Sequence, residues 1–286
     1  MKRRIDLLQW LQPTPNLCIV CGHPNLHASA SNALHAFAPL RQLKLHEVVC
    51  KSCLNEIAWI DKILCKRCGR RDRCPDCSRR EESALWMNRS AVFYSEAMKQ
   101  WLHRYKFQGD ERLSSLFGKM LMPAVERVTM QLIYKQGLEE HWRKSNKTAV
   151  AWLKGVSGRY WDAVTSVPLS EERYRERGFN QAQQLAACIS AQASIPYYEL
   201  LFRTQQGVRH SQQSRQARLS ETGERFSGSH QGWNAMLRSI GRSKPLHILL
   251  VDDVYTTGST VHACAEALMR VGSGDLTVAS ITWARS

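Results

Sequence analysis

The sequence predicts an α/β protein: an open, mostly parallel sheet with flanking helices, preceded by a small cysteine-rich module. Two observations carry this. Short apolar runs around Val92, Val164, Ile195, Leu249 and Val278 alternate with stretches of helical periodicity, the pattern of strand-helix-strand units. Separately, four Cys-x-x-Cys pairs are confined to the first 77 residues. The polar stretch from Glu81 to Leu85 lies between the two regimes, so the predicted division is 1–85 for the cysteine module and 86–286 for the α/β body. A chain of 286 residues is long enough for one sizeable core and a small appendage.

Composition excludes several classes. The longest apolar runs fall well short of the roughly 18 residues of a membrane-spanning helix, so no membrane insertion is expected. The basic start Met1-Lys2-Arg3-Arg4 is followed by a segment too short and too polar for a signal peptide, and the expected address is cytoplasmic. A formal net charge of +15 gives the surface a strong positive field, which attracts nucleic acid or anionic small molecules.

Eight of the ten cysteines form the pairs Cys18/Cys21, Cys50/Cys53, Cys65/Cys68 and Cys74/Cys77. Two intervening residues let both thiolates of a knuckle face one ion, and two knuckles complete a tetrahedral zinc site. One or two structural Zn²⁺ ions are therefore expected. Sequential pairing would group Cys18, Cys21, Cys50 and Cys53 on one ion and Cys65, Cys68, Cys74 and Cys77 on the other; an interleaved pairing is the alternative. An iron–sulfur cluster or a redox dithiol would use the same thiolates. His23, His27, His35 and His46 are further candidate ligands, and Leu54 to Leu64 has the apolar spacing of a short helix. Basic residues crowd the last knuckles, including Lys66, Arg67, Arg70, Arg71, Arg73, Arg79 and Arg80, as in a ribbon lying along a phosphate backbone or as an ordinary solvated surface.

In the body, Ser90 to Tyr94 reads as a strand, and Ser95 caps a helix with Ala97, Met98, Trp101, Leu102 and Tyr105 on one side. Lys106 lies at its carboxyl end, where the dipole favours a cation. A second helix is expected from Arg112 to Val128, with packing marked by Trp142, Trp152 and Trp161. Asp162 to Ser170 reads as a strand and exit loop. That loop carries Arg173, Arg175 and Arg177 into a helix capped at Gly178 to Gln181 and running to Ala193. Another strand is expected from Ile195 to Phe202, loops across Arg203 to Phe226 and Phe226 to Lys244, and a last strand from Thr277 to Trp283.

His247 to Thr260 carries the chemistry. Ile248-Leu249-Leu250-Val251 reads as a buried parallel strand ending in Asp252 and Asp253, and Thr256-Thr257-Gly258-Ser259-Thr260 leads into a helix over Val261 to Val271. Backbone N–H groups at a helix N-terminus, a glycine permitting close approach and nearby hydroxyls suit a phosphate. Carboxylates beside such a turn suit sugar hydroxyls or Mg²⁺. Together they point to a phosphorylated ribose.

This stretch resembles the phosphoribosyl pyrophosphate (PRPP) motif of the type I phosphoribosyltransferases. With the Cys-x-x-Cys pairs, Tyr105-Lys106-Phe107-Gln108-Gly109-Asp110 and Arg175-Glu176-Arg177-Gly178-Phe179-Asn180-Gln181, the chain is similar to the ComF, or GntX-like, competence-type family, over nearly its whole length. The resemblance implies a type I phosphoribosyltransferase fold with a flexible hood. It also implies Asp252 and Asp253 on the ribose hydroxyls, Thr256, Thr257, Gly258, Ser259 and Thr260 on the 5′-phosphate, and Mg²⁺ bound with PRPP. The loop after Val167 would be the pyrophosphate loop, with Arg175 and Arg177 stabilising the leaving group. Gln212 or Gln213, Arg218 and Phe226 fit the hood pattern, whereas Ser220-Glu221 stands where that pattern has Asn. Thr256 stands where purine-salvage relatives carry an acid, so no acceptor base is legible. Three readings follow: a phosphoribosyltransferase linked to DNA uptake or use of DNA as a nutrient; a PRPP- or nucleotide-sensing module that binds single-stranded DNA; and an adaptor for DNA-uptake or helicase proteins.

Overall fold

The computed structural model describes residues 17–25, 43–72, 74–80, 83–137, 157–204, 225–240, 245–272 and 275–286. His27, His35, Arg73, Trp142, Trp152, Gln212, Gln213, Arg218 and Ser220-Glu221 lie outside the described residues.

Four strands, β1 (Leu85–Phe93), β2 (Ala163–Ser166), β5 (Leu246–Tyr255) and β6 (Leu276–Arg285), form a sheet in the order β1-β6-β5-β2 with every pair parallel. Two shorter strands, β3 (Leu201–Arg203) and β4 (Phe226–Gly228), form a separate antiparallel pair. β5 lies between β6 and β2, which accounts for its uninterrupted apolar centre. Leu249 and Val251 join Ala279, Ile281 and Trp283 in one core, while Ile248 and Leu250 join Val278 in the other. The period-two alternation of a strand separates these sets onto opposite faces.

The first face is covered by α4 (Leu113–Lys135) and α6 (Gln181–Ala193), with α3 (Glu96–Phe107) at its edge. Phe117 of α4 stacks on Trp283 at 4.1 Å, and the indole N–H of Trp161 donates to Thr129 Oγ1 at 2.9 Å. The second face receives α8 (Ser259–Val271), with α7 (His230–Ile240) beyond it. Ser95 caps α3 by accepting from the Met98 N–H, as the sequence predicts. α4 runs past Val128 to Lys135 because Leu132 and Ile133 continue its buried stripe.

Four local expectations are corrected. Leu54 to Leu64 is not a helix: α1 (Lys51–Asn55) ends earlier, and Ala58 and Ile60 exchange backbone hydrogen bonds with Phe93 and Ala91 of β1. Those bonds to the sheet edge outweigh an apolar spacing that fits either conformation. The exit loop after β2 closes into a helix, α5 (Glu171–Arg177), which Ser170 caps and which Gly178, at φ 78°, terminates. Phe226 to Lys244 contains β4 and α7 rather than a loop, because Trp233 and Met236 supply a buried face. The strand expected at Ile195 to Phe202 reaches the main sheet only through a parallel bridge of Tyr197 to Val164, after which Leu201–Arg203 turns away to pair with β4.

The cysteine-rich segment, which holds α1 and α2 (Pro75–Arg79), is welded to the sheet. Arg89, wholly buried, donates to the Lys66 carbonyl at 2.9 Å and to Gln131. Arg285 donates to the Cys68 carbonyl at 2.6 Å, Asn88 Nδ2 reaches the same oxygen at 3.3 Å, and the Asn88 N–H donates to the Arg67 carbonyl at 2.7 Å. A buried guanidinium needs acceptors, and here the knuckle backbone supplies one to the Nη groups of each arginine, while the Nε of both is buried without a partner among the described residues.

Asn180 offers a test of local stability. Its side chain accepts from the N–H groups of Ala182 and Gln183, and its amide donates to the Val167 carbonyl at 3.1 Å. Asn180→Ala should lower unfolding free energy by about 1 to 2 kcal/mol in urea titration while leaving the metal content unchanged.

Candidate functional site

At the carboxyl end of β5 the alternation that sorts the core also sorts the charges. Asp253 continues the Leu249/Val251 face and meets Lys106 at the end of α3, with Nζ to Oδ2 at 2.6 Å. Asp252 continues the opposite face toward α8, and its Oδ1 accepts from the Asp253 N–H at 2.9 Å. Burial, followed by the neighbouring Asp253 charge, pushes the Asp252 carboxyl up to about 8. Cys264 of α8, itself buried, has its thiol raised well above the usual range by burial and then by Asp252.

Past the acids, Thr256 and Thr257 are exposed, and Gly258 at φ 80° delivers the chain into α8 at Ser259. A side chain at position 258 is excluded twice over: by the left-handed backbone, and because its Cβ would lie 2.2 Å from the Tyr255 hydroxyl. Tyr255 is in turn covered by the Arg285 guanidinium, 4.6 Å from its ring centroid. The Thr257 hydroxyl accepts from the Ser259 N–H at 3.4 Å. The remaining first-turn N–H groups of α8 therefore face an open, hydroxyl-rich rim.

A cleft of about 770 Å³ lies over these strand ends. Its walls include Asp252, Asp253, Ser259 and Thr260 on one side and Arg173, Arg177, Asn180 and Gln181 on the other. Of the arginines considered from sequence, Arg177 lines the cleft and Arg175 does not. On α5 residues two apart project to opposite faces, so Arg175 extends into solvent beside Glu171 at 3.3 Å, while Arg173 and Arg177 share the cleft face. Arg177 lies over the Phe107 ring at 5.1 Å and donates to Gln181 Oε1 at 2.9 Å. Gln181 Nε2 and Arg177 Nε are buried without an acceptor among the described residues, leaving donors for a group entering from the cleft. Arg203, Arg225 and Phe226, the described ends of the segment expected to be the hood, also line it.

The two sequence motifs outside β5 converge here. Tyr105 packs against Phe179 at 5.3 Å between ring centroids and donates to Gln184 Oε1 at 2.8 Å, while Lys106 takes Asp253 and Phe107 takes Arg177. Sequence reasoning assigned Lys106 only to the helix dipole, placed Arg173 in the arginine loop but preferred Arg175 and Arg177, counted Arg80 only among the basic residues of the knuckles, and did not single out Gln181. For Lys106 a signal existed in its place between two aromatic residues of a motif; Arg173 needed the helical phase of α5, which a presumed loop does not have.

The cysteines form two groups. Sulfurs of Cys18, Cys21, Cys50 and Cys53 lie within 4.8 Å of one another, as do those of Cys65, Cys68, Cys74 and Cys77, so the structure selects the sequential pairing. Separations of 3.6 Å for Cys21 to Cys50 and 3.5 Å for Cys68 to Cys74 approach the roughly 3.8 Å edge of a tetrahedron with 2.3 Å metal–sulfur bonds. All of these cysteines are free thiols. The donor sets fit two zinc ions, which would crosslink each pair of knuckles. Neither His23 nor His46 belongs to either group.

The class these features define is an α/β protein with a ligand cleft at the carboxyl ends of a parallel sheet and a module of two Cys₄ clusters bonded to that sheet. No protein-family model matches the chain. It is 30% identical over 253 residues to competence protein ComFC of Bacillus subtilis, covering 85% of this chain and 87% of that one. Competence protein ComFC of Streptococcus pneumoniae is 26% identical over 92% of this chain and 98% of its own. The DNA utilization protein YhgH of Escherichia coli O157:H7 is 27% identical over 82% and 89%. The chain belongs to the ComF family. Among the described residues no helix is long and apolar enough to cross a membrane.

Purified protein should contain two zinc equivalents by elemental analysis. Cys50→Ser and Cys68→Ser should each lose one equivalent and keep the other; loss of both from either variant would contradict independent clusters.

Proposed function

We propose that the chain binds PRPP with Mg²⁺ in the cleft above β5 and serves DNA uptake or the use of DNA as a nutrient. The observation that carries the reading is the meeting, in one cleft, of an acid pair, the first residues of a helix (Ser259 and Thr260, directly after the Thr256-to-Gly258 turn), and two arginines on the opposite wall. In this reading Asp252 and Asp253 accept from the ribose hydroxyls, and Thr256 to Thr260 hold the 5′-phosphate through backbone N–H groups and hydroxyls. Mg²⁺, when bound, would neutralise charge between ribose and pyrophosphate. Arg177 and Arg173, with Gln181 Nε2, donate to the pyrophosphate oxygens. Arg175 would join them only by leaving Glu171 and crossing to the other face of α5. Lys106 pairs with Asp253 and orients it until the ribose arrives.

Should an acceptor attack C1 of the ribose, the C1–oxygen bond to pyrophosphate breaks and the bond to the acceptor forms. Charge then develops on pyrophosphate, where Arg173 and Arg177 stabilise it. The acceptor side carries no acid at position 256, so ligand binding is the primary proposal and transfer the extension of it. The names of the relatives, competence and DNA utilization proteins, support the DNA-handling context. The strong positive charge supports a second component of the proposal, contact with single-stranded DNA through the basic cysteine module.

Isothermal titration with Mg·PRPP should show binding by wild type and a loss of about tenfold or more in Asp252→Asn/Asp253→Asn. Equal absence of binding in both proteins would refute the reading.

The pH dependence has a defined sign. Because Asp252 is protonated in the free protein below about 8, a ligand that needs its carboxylate must expel that proton. Affinity for Mg·PRPP should therefore rise by up to about tenfold per pH unit from 6 toward 8 and level off above, and Asp252→Asn should flatten the profile.

A further inference from the structure

We propose that Arg80, which follows the second cysteine cluster, is a ligand for the 5′-phosphate, so that the cysteine module forms one wall of the substrate cleft rather than an appendage to it. The inference rests on the PRPP reading above and adds a residue from outside the α/β body.

Arg80 lines the same cleft as Asp252, Asp253, Ser259 and Thr260. Its neighbourhood is the entrance to α8. His262, in the first turn of that helix, bonds through Nδ1 to the Ser83 hydroxyl at 3.0 Å, three residues along the chain from Arg80. Burial, then the charges of Arg80 and Arg67, lower His262 to about 4, so it stays neutral and leaves the positive charge on this wall to arginine. The field of Arg80 also reaches Tyr255, whose hydroxyl backs Gly258. Arg80 therefore stands beside the turn that offers backbone N–H groups, while Arg173 and Arg177 stand across the cleft.

The arginine is held there by the cysteine knuckle. Arg67, between Cys65 and Cys68, donates from Nη1 to the carbonyls of both Cys77 and Arg80, so the backbone of residue 80 is referenced to the second cluster. The same knuckle supports the turn from beneath: Arg285 donates to the Cys68 carbonyl and covers the Tyr255 ring. Thus one cluster positions both a cation and the turn it faces. The Arg80 guanidinium is half-buried and has no hydrogen bond or ion pair among the described residues. Arg270, farther along α8, already donates to the Phe226 carbonyl at 3.3 Å. A guanidinium with no ion pair among the described residues, beside exposed helix N-terminal donors, suits a dianionic phosphate, which it can grip in bidentate fashion.

The test uses the full zinc-loaded chain and two probes that divide PRPP: ribose 5-phosphate and Mg·pyrophosphate. Arg80→Gln should bind ribose 5-phosphate about tenfold more weakly, bind Mg·pyrophosphate as wild type does, and retain the wild-type zinc content. Arg80→Lys should recover part of the loss. Ribose 5-phosphate affinity unchanged in Arg80→Gln but lost in Asp252→Asn/Asp253→Asn would overturn the role of Arg80 and leave the PRPP reading standing. Equal weakening toward both probes would also overturn it, as a general field effect. If wild type binds neither probe nor PRPP, the parent reading fails and the assignment falls with it.

Discussion

A parallel strand sealed between apolar layers on both faces can carry a carboxylate only where it emerges from them, and this constraint on β5 organises the molecule. β5 is sealed by β6 and β2 at its edges and by two helical layers on its faces, so Ile248 to Val251 are apolar throughout. The first positions at which a carboxylate is tolerable are Asp252 and Asp253, where the strand emerges beneath the cleft. One acid meets a lysine and the other does not. The difference in their environments follows from strand alternation alone, which sends Asp253 to the α3 side and Asp252 toward α8 and Cys264.

A second constraint fixes what surrounds that strand end. Two buried arginines, Arg89 and Arg285, each donate to a carbonyl of the Cys65-to-Cys68 knuckle, and breaking either bond would leave a buried charge short of acceptors. The knuckle, the edge strand β1 and the carboxyl end of β6 are therefore bonded to one another. Through Tyr255 that bonded set reaches the glycine turn, and through Arg67 it reaches Arg80. A metal-stabilised loop is a compact way to hold such contacts, because its rigidity does not depend on a large apolar core of its own.

Particular elements show what was legible in the chain. The strand at Val251, the caps at Ser95 and Asn180 and the spacing of the cysteines are local signals, each readable within a few residues. The misread segments were those whose apolar spacing fits two conformations. Leu54 to Leu64 carries a helical pattern, yet bonds from Ala58 and Ile60 to β1 decide for extended chain. Phe226 to Lys244 reads as a loop, yet Trp233 and Met236 are enough to hold a helix among the buried residues around α8. In the candidate site, the acids and the turn were legible because they are contiguous. Arg173 was passed over in favour of Arg175 because the choice depends on the rotation of a helix that Ser170 and Gly178 delimit.

By itself the sequence determined the α/β class, the four Cys-x-x-Cys pairs, the acid pair at the end of β5 and the small-residue turn after it, since each rests on residue type and short spacing. The tertiary structure alone decided the pairing of the knuckles, the ion pair of Lys106 with Asp253, the exit of Arg175 from the cleft and the entry of Arg80. Those are relations between segments many residues apart. They depend on strand order, helix rotation and the satisfaction of buried donors, none of which is encoded in any one stretch of chain.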